Sequence, residues 1–269
     1  ITDNNGCTKD TSFTINEPPD INIGVTSTDV DCNGNGNGSV VTTLTGGTAP
    51  LTPFWTIITP GGGLVPNNAD QFTLDGGVYQ LLVTDGNGCA DSVQVTINEP
   101  DTIISNGTVV DISCYDQVDG EITLNLIGGT TPYNITWTSS DPSFVDPGGN
   151  ATSLSNLDSG SYTVSIIDAN GCLYDTTLII TKPSEIFANG SSTNVICFGD
   201  ADGTITLNTS NGVPNYTWDW TGPSGFTSTD ESLTGLDIGA YDVTITDNNG
   251  CTKDTSFTIN EPDSIDIDG

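Results

Sequence analysis

The chain is a tandem array, because one stretch of eighteen residues recurs along it. Residues 1–18 (ITDNNGCTKDTSFTINEP) return letter for letter at 245–262, and looser copies occupy 83–100 and 166–183. The copies begin roughly 80 residues apart, a period that indicates a series of similar modules rather than one large domain. The fold of one module therefore determines the fold of the whole chain.

A Glu-Pro or Lys-Pro pair closes each copy and marks the module boundaries. Proline cannot donate a hydrogen bond to a β-ladder, so each pair is expected to end a strand. We predict modules at 19–100, 101–183 and 184–262, with 1–18 as the last hairpin of a preceding module and 263–269 as the start of a next one. Linkers of one or two residues predict that the modules abut.

The verbatim return of residues 1–18 after three modules predicts a larger repeat unit. Ile265 and Ile267 follow the second copy in the same places as Ile21 and Ile23 follow the first. We therefore expect this chain to represent a stretch of a much longer repetitive fibre.

Each module shows the same order of short alternating strands and Gly- or Asn-rich turns, with no helical periodicity. About seven strands are expected per module, with tryptophan on the third strand and an Asp-x-Gly-x-Tyr segment leading into the sixth. The predicted fold is all-β: a tandem array of immunoglobulin-like β-sandwich modules. In the opening stretch we expect a turn at Asp3–Gly6 and a strand from Cys7 to Ile15.

Key positions recur in all three modules. The tyrosine of each Asp-x-Gly-x-Tyr segment is expected to hydrogen-bond to the loop before its strand, and the tryptophan of each third strand is expected to lie in the core. The usual core disulfide of this fold is replaced by aliphatic residues two positions after each tyrosine. In chain order the recurring residues are Trp55, Tyr79, Leu81, Trp137, Tyr162, Val164, Trp220, Tyr241 and Val243.

The charge balance excludes several classes of function. The chain has 35 acidic residues, no histidine and only three basic residues (Lys9, Lys182 and Lys253), for a formal charge of -32. Nucleic acid is excluded as a partner because phosphate binding needs clustered Lys or Arg, and no apolar run is long enough to insert into a membrane. The near absence of His, Lys and Arg also predicts that the protein is no enzyme and has no cofactor.

Seven cysteines recur at fixed places and favour an oxidising, extracellular setting. They are Cys7, Cys32, Cys89, Cys114, Cys172, Cys197 and Cys251. Three pairings are open: within a module, across the constant 25-residue spacing, or between adjacent modules. A ten-residue strand spans about 33 Å, whereas bridged Cα atoms lie within about 7 Å. The expected topology therefore favours Cys32–Cys172 and Cys114–Cys251, with within-module pairs and free thiols as the alternatives.

The modules resemble the SprB repeat of large Bacteroidota cell-surface adhesins, including those used for gliding motility. Three motifs carry the resemblance: the Cys-x-Gly-x-x-Asp-Gly turn from Cys197 to Gly203, the segment Gly128–Trp137, and the segment Tyr162–Cys172. The first module departs most, with Leu51 and Pro53 in place of aromatic residues and Asn/Gly in place of the acidic turn. The resemblance implies a secreted, surface-displayed chain of many modules, exported by the type IX route, without catalytic residues.

Two further features have a functional and a structural interpretation. The acidic turns with Asp116, Asp119, Asp200 and Asp202 offer hard oxygen ligands for Ca²⁺, but Asp-Gly also simply makes turns. The same-face aromatics Tyr216, Trp218 and Trp220 could form a sugar-stacking platform, but such a stripe is more often core packing. We expect the structural interpretation at both places, with calcium as the possible bound ion.

Asp-Ser or Asp-Thr followed by an apolar residue resembles the O-glycosylation signal of Bacteroidota. The candidates are Ser92, Thr102, Ser264 and, more weakly, Thr176. The expected role is a structural segment of an extracellular filament or adhesin, whose partners are the adjacent modules of the same chain. In the alternative, the modules themselves bind surface glycans or neighbouring chains in a bundled fibre, through loops such as 56–70 and 138–154 that differ between modules.

Overall fold

The computed structural model describes residues 1–266, which form strands and turns with one short 3-10 segment and no α-helix. The described chain divides into two compact units. The first holds residues 1–104, 127–133 and 167–173, and the second holds 105–126, 134–166 and the residues from 174 onward. The unit boundaries do not follow the predicted module boundaries, because two segments of the second module belong to the first unit.

The first module is a sandwich of two three-stranded antiparallel sheets. Its strands are β1 (Asn22–Thr28), β2 (Gly38–Thr45), β3 (Thr52–Ile57), β4 (Gln71–Leu74), β5 (Gly77–Thr84) and β6 (Ala90–Ile97). One sheet has the order β1-β2-β4 and the other β3-β5-β6. Alternate residues of β5 (Tyr79, Leu81 and Val83) are fully buried, because successive side chains of a strand face opposite sides.

The second module repeats this arrangement with interrupted strands. It contains β7 (Ile104–Ser105), β8 (Thr108–Val110), β9 (Gly120–Thr123), β10 (Leu126–Ile127), β11 (Asn134–Ser139), β12 (Ser153–Leu157), β13 (Gly160–Ile167) and β14 (Leu173–Ile180). The sheets have the orders β12-β9-β8 and β11-β13-β14, with β7 and β10 as a separate pair. The break in the first strand lies at Gly107, where a Cβ would come within 2.0 Å of the Thr123 carbonyl.

The third module has continuous strands again. They are β15 (Phe187–Thr193), β16 (Gly203–Ser210), β17 (Thr217–Thr221), β18 (Thr227–Ser228), β19 (Leu233–Leu236), β20 (Gly239–Thr246) and β21 (Thr252–Ile259). The sheets have the orders β15-β16-β19 and β18-β17-β20-β21. A 3-10 turn, Pro223–Gly225, lies between β17 and β18.

The strand order is that of the immunoglobulin fold without one edge strand. In each module the first, second and fifth strands of that fold form one sheet, and the third, sixth and seventh form the other, to which module 3 adds β18 beside β17. The prediction of about seven strands is therefore wrong for module 1, which has six. Its Tyr79 lies on β5, which is the counterpart of the sixth strand of the fold. The missing strand corresponds to the Pro- and Gly-rich segment 58–70, whose composition is typical of a loop.

Two recurring features hold each sandwich together. The hydroxyls of Tyr79, Tyr162 and Tyr241 donate to the carbonyls of Asp75, Asp158 and Asp237 at 2.8, 2.8 and 3.1 Å, which is the corner bond expected for this fold. Burial raises the pKa of all three tyrosines. The tryptophans of the third strand position, Trp55, Trp137 and Trp220, are buried between the sheets.

The predicted strand Cys7–Ile15 is wrong. Residues 1–8 form the expected turn with a single bridge between Thr2 and Thr8, but residues 9–21 have no strand. The identical residues 252–259 form β21 because β20 pairs with them along their whole length. In the described residues the first copy has no such neighbour, and Phe13 and Ile15 are exposed. Ile267 lies outside the described residues, as does the end of the segment 263–269.

No helix in the described residues is long and apolar enough to cross a membrane.

Candidate functional site

A disulfide in the first compact unit joins two modules. Cys32, in the loop after β1, is bonded to Cys172, in the hairpin turn before β14, with Cα atoms 5.5 Å apart. The backbone carbonyl of Asp31 accepts a hydrogen bond from Asn170 Nδ2 at 2.9 Å. The junction between modules 1 and 2 is therefore both covalent and hydrogen-bonded.

The second unit contains the same junction between modules 2 and 3. Cys114 is bonded to Cys251 with Cα atoms again 5.5 Å apart. Asn249 Nδ2 donates to the Ser113 carbonyl at 3.2 Å, in the place of the Asn170–Asp31 bond. These two disulfides are the pairings between modules that the strand-length argument favoured; the within-module pairs are not formed.

A buried aspartate holds the turn that presents each hairpin cysteine. Asp168 Oδ1 accepts the backbone N–H groups of Asn170 and Cys172, both at 2.9 Å, and its Oδ2 accepts Thr130 N–H at 2.8 Å. Gly171 completes the turn with a φ of +87°, a conformation that favours glycine. One carboxylate thus positions the asparagine and the cysteine that together make the junction.

The aspartate turn recurs wherever the motif Asp-x-x-Gly-Cys occurs. Asp85 and Asp247 make the same bonds to their own turns and to Thr48 and Val213. In the opening copy, Asp3 Oδ1 still accepts from Asn5 and Cys7 although no sandwich surrounds it. From the sequence only the turn at Asp3–Gly6 was predicted, with no role for its aspartate. The constant position of these aspartates four residues before a cysteine was the signal for this role.

Acid should weaken the turn of module 1. The hydrogen bond from Thr48 N–H, with those from Cys89 and Asn87, holds the pKa of Asp85 below its ordinary value of 3.8. A lowered pKa in the folded state stabilises the fold above the unfolded pKa, and this contribution is lost as the pH falls through the folded value. We expect Asp85→Asn to lower the melting temperature of module 1 at pH 7 and to flatten its dependence on pH below about 4. Calorimetry from pH 7 to 2.5 measures this.

Asp10→Asn is the matched control, because Asp10 is exposed in the opening segment. Its melting curve should follow the parent protein at every pH. An unchanged pH dependence in Asp85→Asn would contradict the role given to this carboxylate.

Each disulfide lies beside polar or aromatic contacts to the linker. At the first junction Asn33 donates to the Pro100 carbonyl at 3.1 Å and accepts from Thr102 Oγ1 at 2.8 Å. At the second, Lys182 Nζ lies 5.2 Å from the centre of the Tyr115 ring. Asn33 and Tyr115 both follow the loop cysteine directly, so the same position contacts the linker with different chemistry.

The acidic turns close the loops that carry the first cysteine of each module. Asp119 accepts from the N–H and the hydroxyl of Ser113, at 3.0 and 2.5 Å, and Asp202 accepts Ile196 N–H at 3.0 Å. In module 1, Asn37 makes the corresponding bond to Asp31 N–H at 3.2 Å. The bond needs only an oxygen acceptor, which is why asparagine serves in the first module.

Calcium binding at Asp116, Asp119, Asp200 and Asp202 stays a prediction. Among residues 1–266 no group of three or more His, Cys, Asp or Glu side chains is placed to hold a metal ion. Ca²⁺ takes six to eight oxygen ligands, which a pair of turn carboxylates does not provide. We expect a chelator to leave the melting temperature unchanged; a clear drop would establish a calcium site.

The other predicted positions fall on different surfaces. Trp220 is buried, while Tyr216 and Trp218 are half-buried and pack against the core of module 3, as expected for core residues. Of the glycosylation candidates, Ser92, Thr102 and Ser264 are exposed, whereas Thr176 is half-buried on β14. Cys7, Cys89 and Cys197 are exposed free thiols in the described structure.

Comparison with solved structures finds arrays of immunoglobulin domains. A three-domain segment of titin is 16% identical, with 91% of this chain and 99% of that chain covered and a TM-score of 0.41. Eight domains of the Down Syndrome Cell Adhesion Molecule are 14% identical, with 84% and 34% covered and a TM-score of 0.46. At these scores the immunoglobulin-like assignment rests on the strand order and the tyrosine corner described above. The comparison with curated proteins found no match.

A family model, the SprB repeat, matches residues 24–52, 106–142 and 189–225. Each match begins in the first strand of a module, or in module 2 in the break between β7 and β8, and includes the loop with the first cysteine, Cys32, Cys114 or Cys197. The family and the fold both point to a structural, non-catalytic role. The SprB-repeat model therefore matches one segment in each of the three modules.

Proposed function

We propose that the chain is a stalk segment of a secreted, surface-attached filament or adhesin. The observation that supports this most strongly is the disulfide at each of the two junctions, Cys32–Cys172 and Cys114–Cys251. A bond between modules does nothing for the packing of either sandwich, but it restricts bending at the linker. Besides stabilising the folded chain, the bond therefore gives the segment stiffness and reach.

The chemistry of the chain suits the outside of a cell. Disulfides persist in oxidising compartments, and a formal charge of -32 keeps neighbouring stalks apart. Because the modules resemble those of Bacteroidota adhesins, we also propose that the chain is exported by the type IX route and acts in adhesion or gliding.

Imaging of single molecules before and after reduction of the disulfides tests whether the junctions stiffen the segment. With both disulfides intact, the distance between the two ends should have a narrow distribution. After reduction the distribution should broaden, because each linker can then hinge. Equally broad distributions in both states would contradict a stiffening role for the junctions.

A cleft in module 2 favours a second candidate function, glycan binding by the modules themselves. It has a volume of about 470 Å³ and is bordered by the loop residues Asp141, Ser143 and Phe144 together with Tyr162. Phe144 lies edge-on to Tyr162, with ring centres 5.4 Å apart. Hydroxyl and carboxylate groups beside an aromatic ring are what a sugar requires. Binding of the three-module protein to a glycan array, abolished by Phe144→Ala, would support this function over the passive stalk.

A further inference from the structure

The outer face of the sheet β3-β5-β6 carries no charged side chain in module 1, all of whose residues are described. Across this sheet Phe54 pairs with Leu82, and Leu82 pairs with Ser92. Phe54 and Leu82 are 46% and 41% exposed, because their neighbours Trp55 and Leu81 take the buried side of each strand. The residues around this row are also neutral: Thr52, Thr56, Gln80, Thr84 and Gln94. Together these residues form the neutral face.

The corresponding face of module 3, formed by β17, β20 and β21, is acidic. Its central row consists of Asp219, Thr244 and Asp254, which pair across the three strands as the central row of module 1 does. Asp242 lies in the next row, between Thr221 and Ser256. The sandwich therefore accepts carboxylates on this face, and the fold does not require their absence from module 1.

Adjoining modules do not cover this face of a sandwich. Module 2 has a module before it and a module after it, and on the same face of its sheet β11-β13-β14 Thr136, Asp175 and Thr177 are exposed. Both junctions instead use the cysteine loops and the hairpin turns. The row of Phe54 and Leu82 is therefore left open wherever its module stands in an array.

The charge of the chain favours a second copy of it as the partner of the neutral face. With 35 acidic and three basic residues, two copies repel each other wherever their carboxylates meet, and the neutral face avoids this repulsion. A basic partner would be attracted to the carboxylates of the other faces instead. The amides of Gln80 and Gln94 both donate and accept hydrogen bonds, so that identical side chains can pair with each other, whereas ionised carboxylates only accept.

We propose that two copies of this chain associate side by side through the neutral faces of their first modules. A two-fold axis between the copies places Phe54 of each copy against Leu82 of the other, because such an interface uses the same patch twice. The glutamines and threonines around this apolar centre form the polar rim. The inference rests on the stalk function and deepens it, because it names what the side of the stalk binds.

The size of the neutral face makes this association weak. Three strands about 4.8 Å apart and seven residues of about 3.4 Å each cover roughly 14 by 24 Å, or about 300 Å² on each copy. A stable complex buries about 800 Å² on each partner. Weak contacts suffice along a filament, since contacts that are repeated on two chains reinforce each other.

Sedimentation equilibrium of the full chain measures the association. The exposed thiols Cys7, Cys89 and Cys197 are replaced by serine and both disulfides are kept, so that only non-covalent pairing is observed. The protein should change from monomer to dimer as its concentration rises. Salt should strengthen the dimer, because ions screen the repulsion between two acidic chains. Monomers at every concentration and salt tested, or a dimer that salt weakens, would overturn the proposal.

Substitutions taken from module 3 test whether the neutral face makes the contact. Phe54→Asp with Ser92→Asp places aspartates where module 3 has Asp219 and Asp254, so the sandwich should keep its melting temperature. The dimer should weaken by more than about tenfold, because like charges then face each other. Phe72→Ala is the matched control, because Phe72 is 59% exposed on β4 in the other sheet of the same module. An unchanged dimer in the aspartate variant, or equal weakening by Phe72→Ala, would contradict the assignment of this face.

Failure of this inference can be told apart from failure of the stalk function. Stiff oxidised molecules that stay monomeric would overturn the pairing alone. Molecules that pair through Phe54 but hinge in the oxidised state would support the pairing and contradict the stalk. Protection of the neutral face by a neutral polysaccharide, without any self-association, would assign the face to a glycan and overturn the second copy as its partner.

Discussion

When it is pulled from its two ends, the oxidised protein is expected to extend in steps that are all shorter than one module. The two disulfides close overlapping loops of 140 and 137 residues. The shortest path for the force crosses both bonds and, of the enclosed chain, includes only the stretch between Cys114 and Cys172, which is shorter than one module. Reduction opens both loops. Whole modules of roughly 80 residues can then unravel, each releasing roughly 260–290 Å of chain.

Single-molecule force spectroscopy with and without a reductant measures this change. The variant Cys172→Ser with Cys251→Ser should reproduce the reduced pattern without any reductant, while Cys89→Ser, which is in neither bond, should behave as the parent. Each loop is long enough that its closure stabilises the folded state by about 5 kcal/mol relative to an open chain. Full-module steps in the oxidised protein would show that the junction bonds do not bear load.

Truncation of a core tryptophan should unfold module 3 selectively. Trp220 is fully buried, and its Nε1–H donates to the Asp230 carbonyl at 2.9 Å. Trp220→Ala leaves a cavity and an unpaired carbonyl, for a loss of about 3–5 kcal/mol. This is comparable to the whole stability of a small domain.

Calorimetry should show one transition lost or strongly lowered and the others retained, since stability in a repeat array is mostly local. Phe187→Ala, on the exposed side of β15, should change the melting temperature little. Equal effects of the two substitutions would mean that Trp220 does not belong to the core.

Sequence patterns predicted most of the sandwich because its determinants are local. Alternation along the strand of Tyr79, Leu81 and Val83 defined a buried face, and the segment Leu236–Tyr241 defined the corner bond. The strand at Cys7–Ile15 could not be predicted in this way. Its eighteen-residue neighbourhood is identical to that of β21, yet within residues 1–266 the second copy alone has a partner strand. Strand formation at this sequence is decided by the neighbour rather than by the residues themselves.

The junctions were only partly predictable for a similar reason. The distance between ends of a strand was enough to favour Cys32–Cys172 over pairs within a module. The position of Tyr115 beside Cys251 depends on how two modules meet, which no pattern within one module encodes. The aspartate four residues before each hairpin cysteine recurs in the sequence, but its hydrogen bonds to the turn become visible only in the structure.

The disulfide pattern also requires that folding of the modules comes before oxidation of their cysteines. Cys32 forms its disulfide with Cys172, 140 residues away, although Cys89 and Cys114 are closer to it along the chain. An unfolded chain would close the shorter loops first, because closure becomes slower and entropically less favourable with length. Correct pairing therefore requires that each sandwich folds before its thiols are oxidised. Premature oxidation would trap the chain in misbonded forms that only an isomerase could rescue.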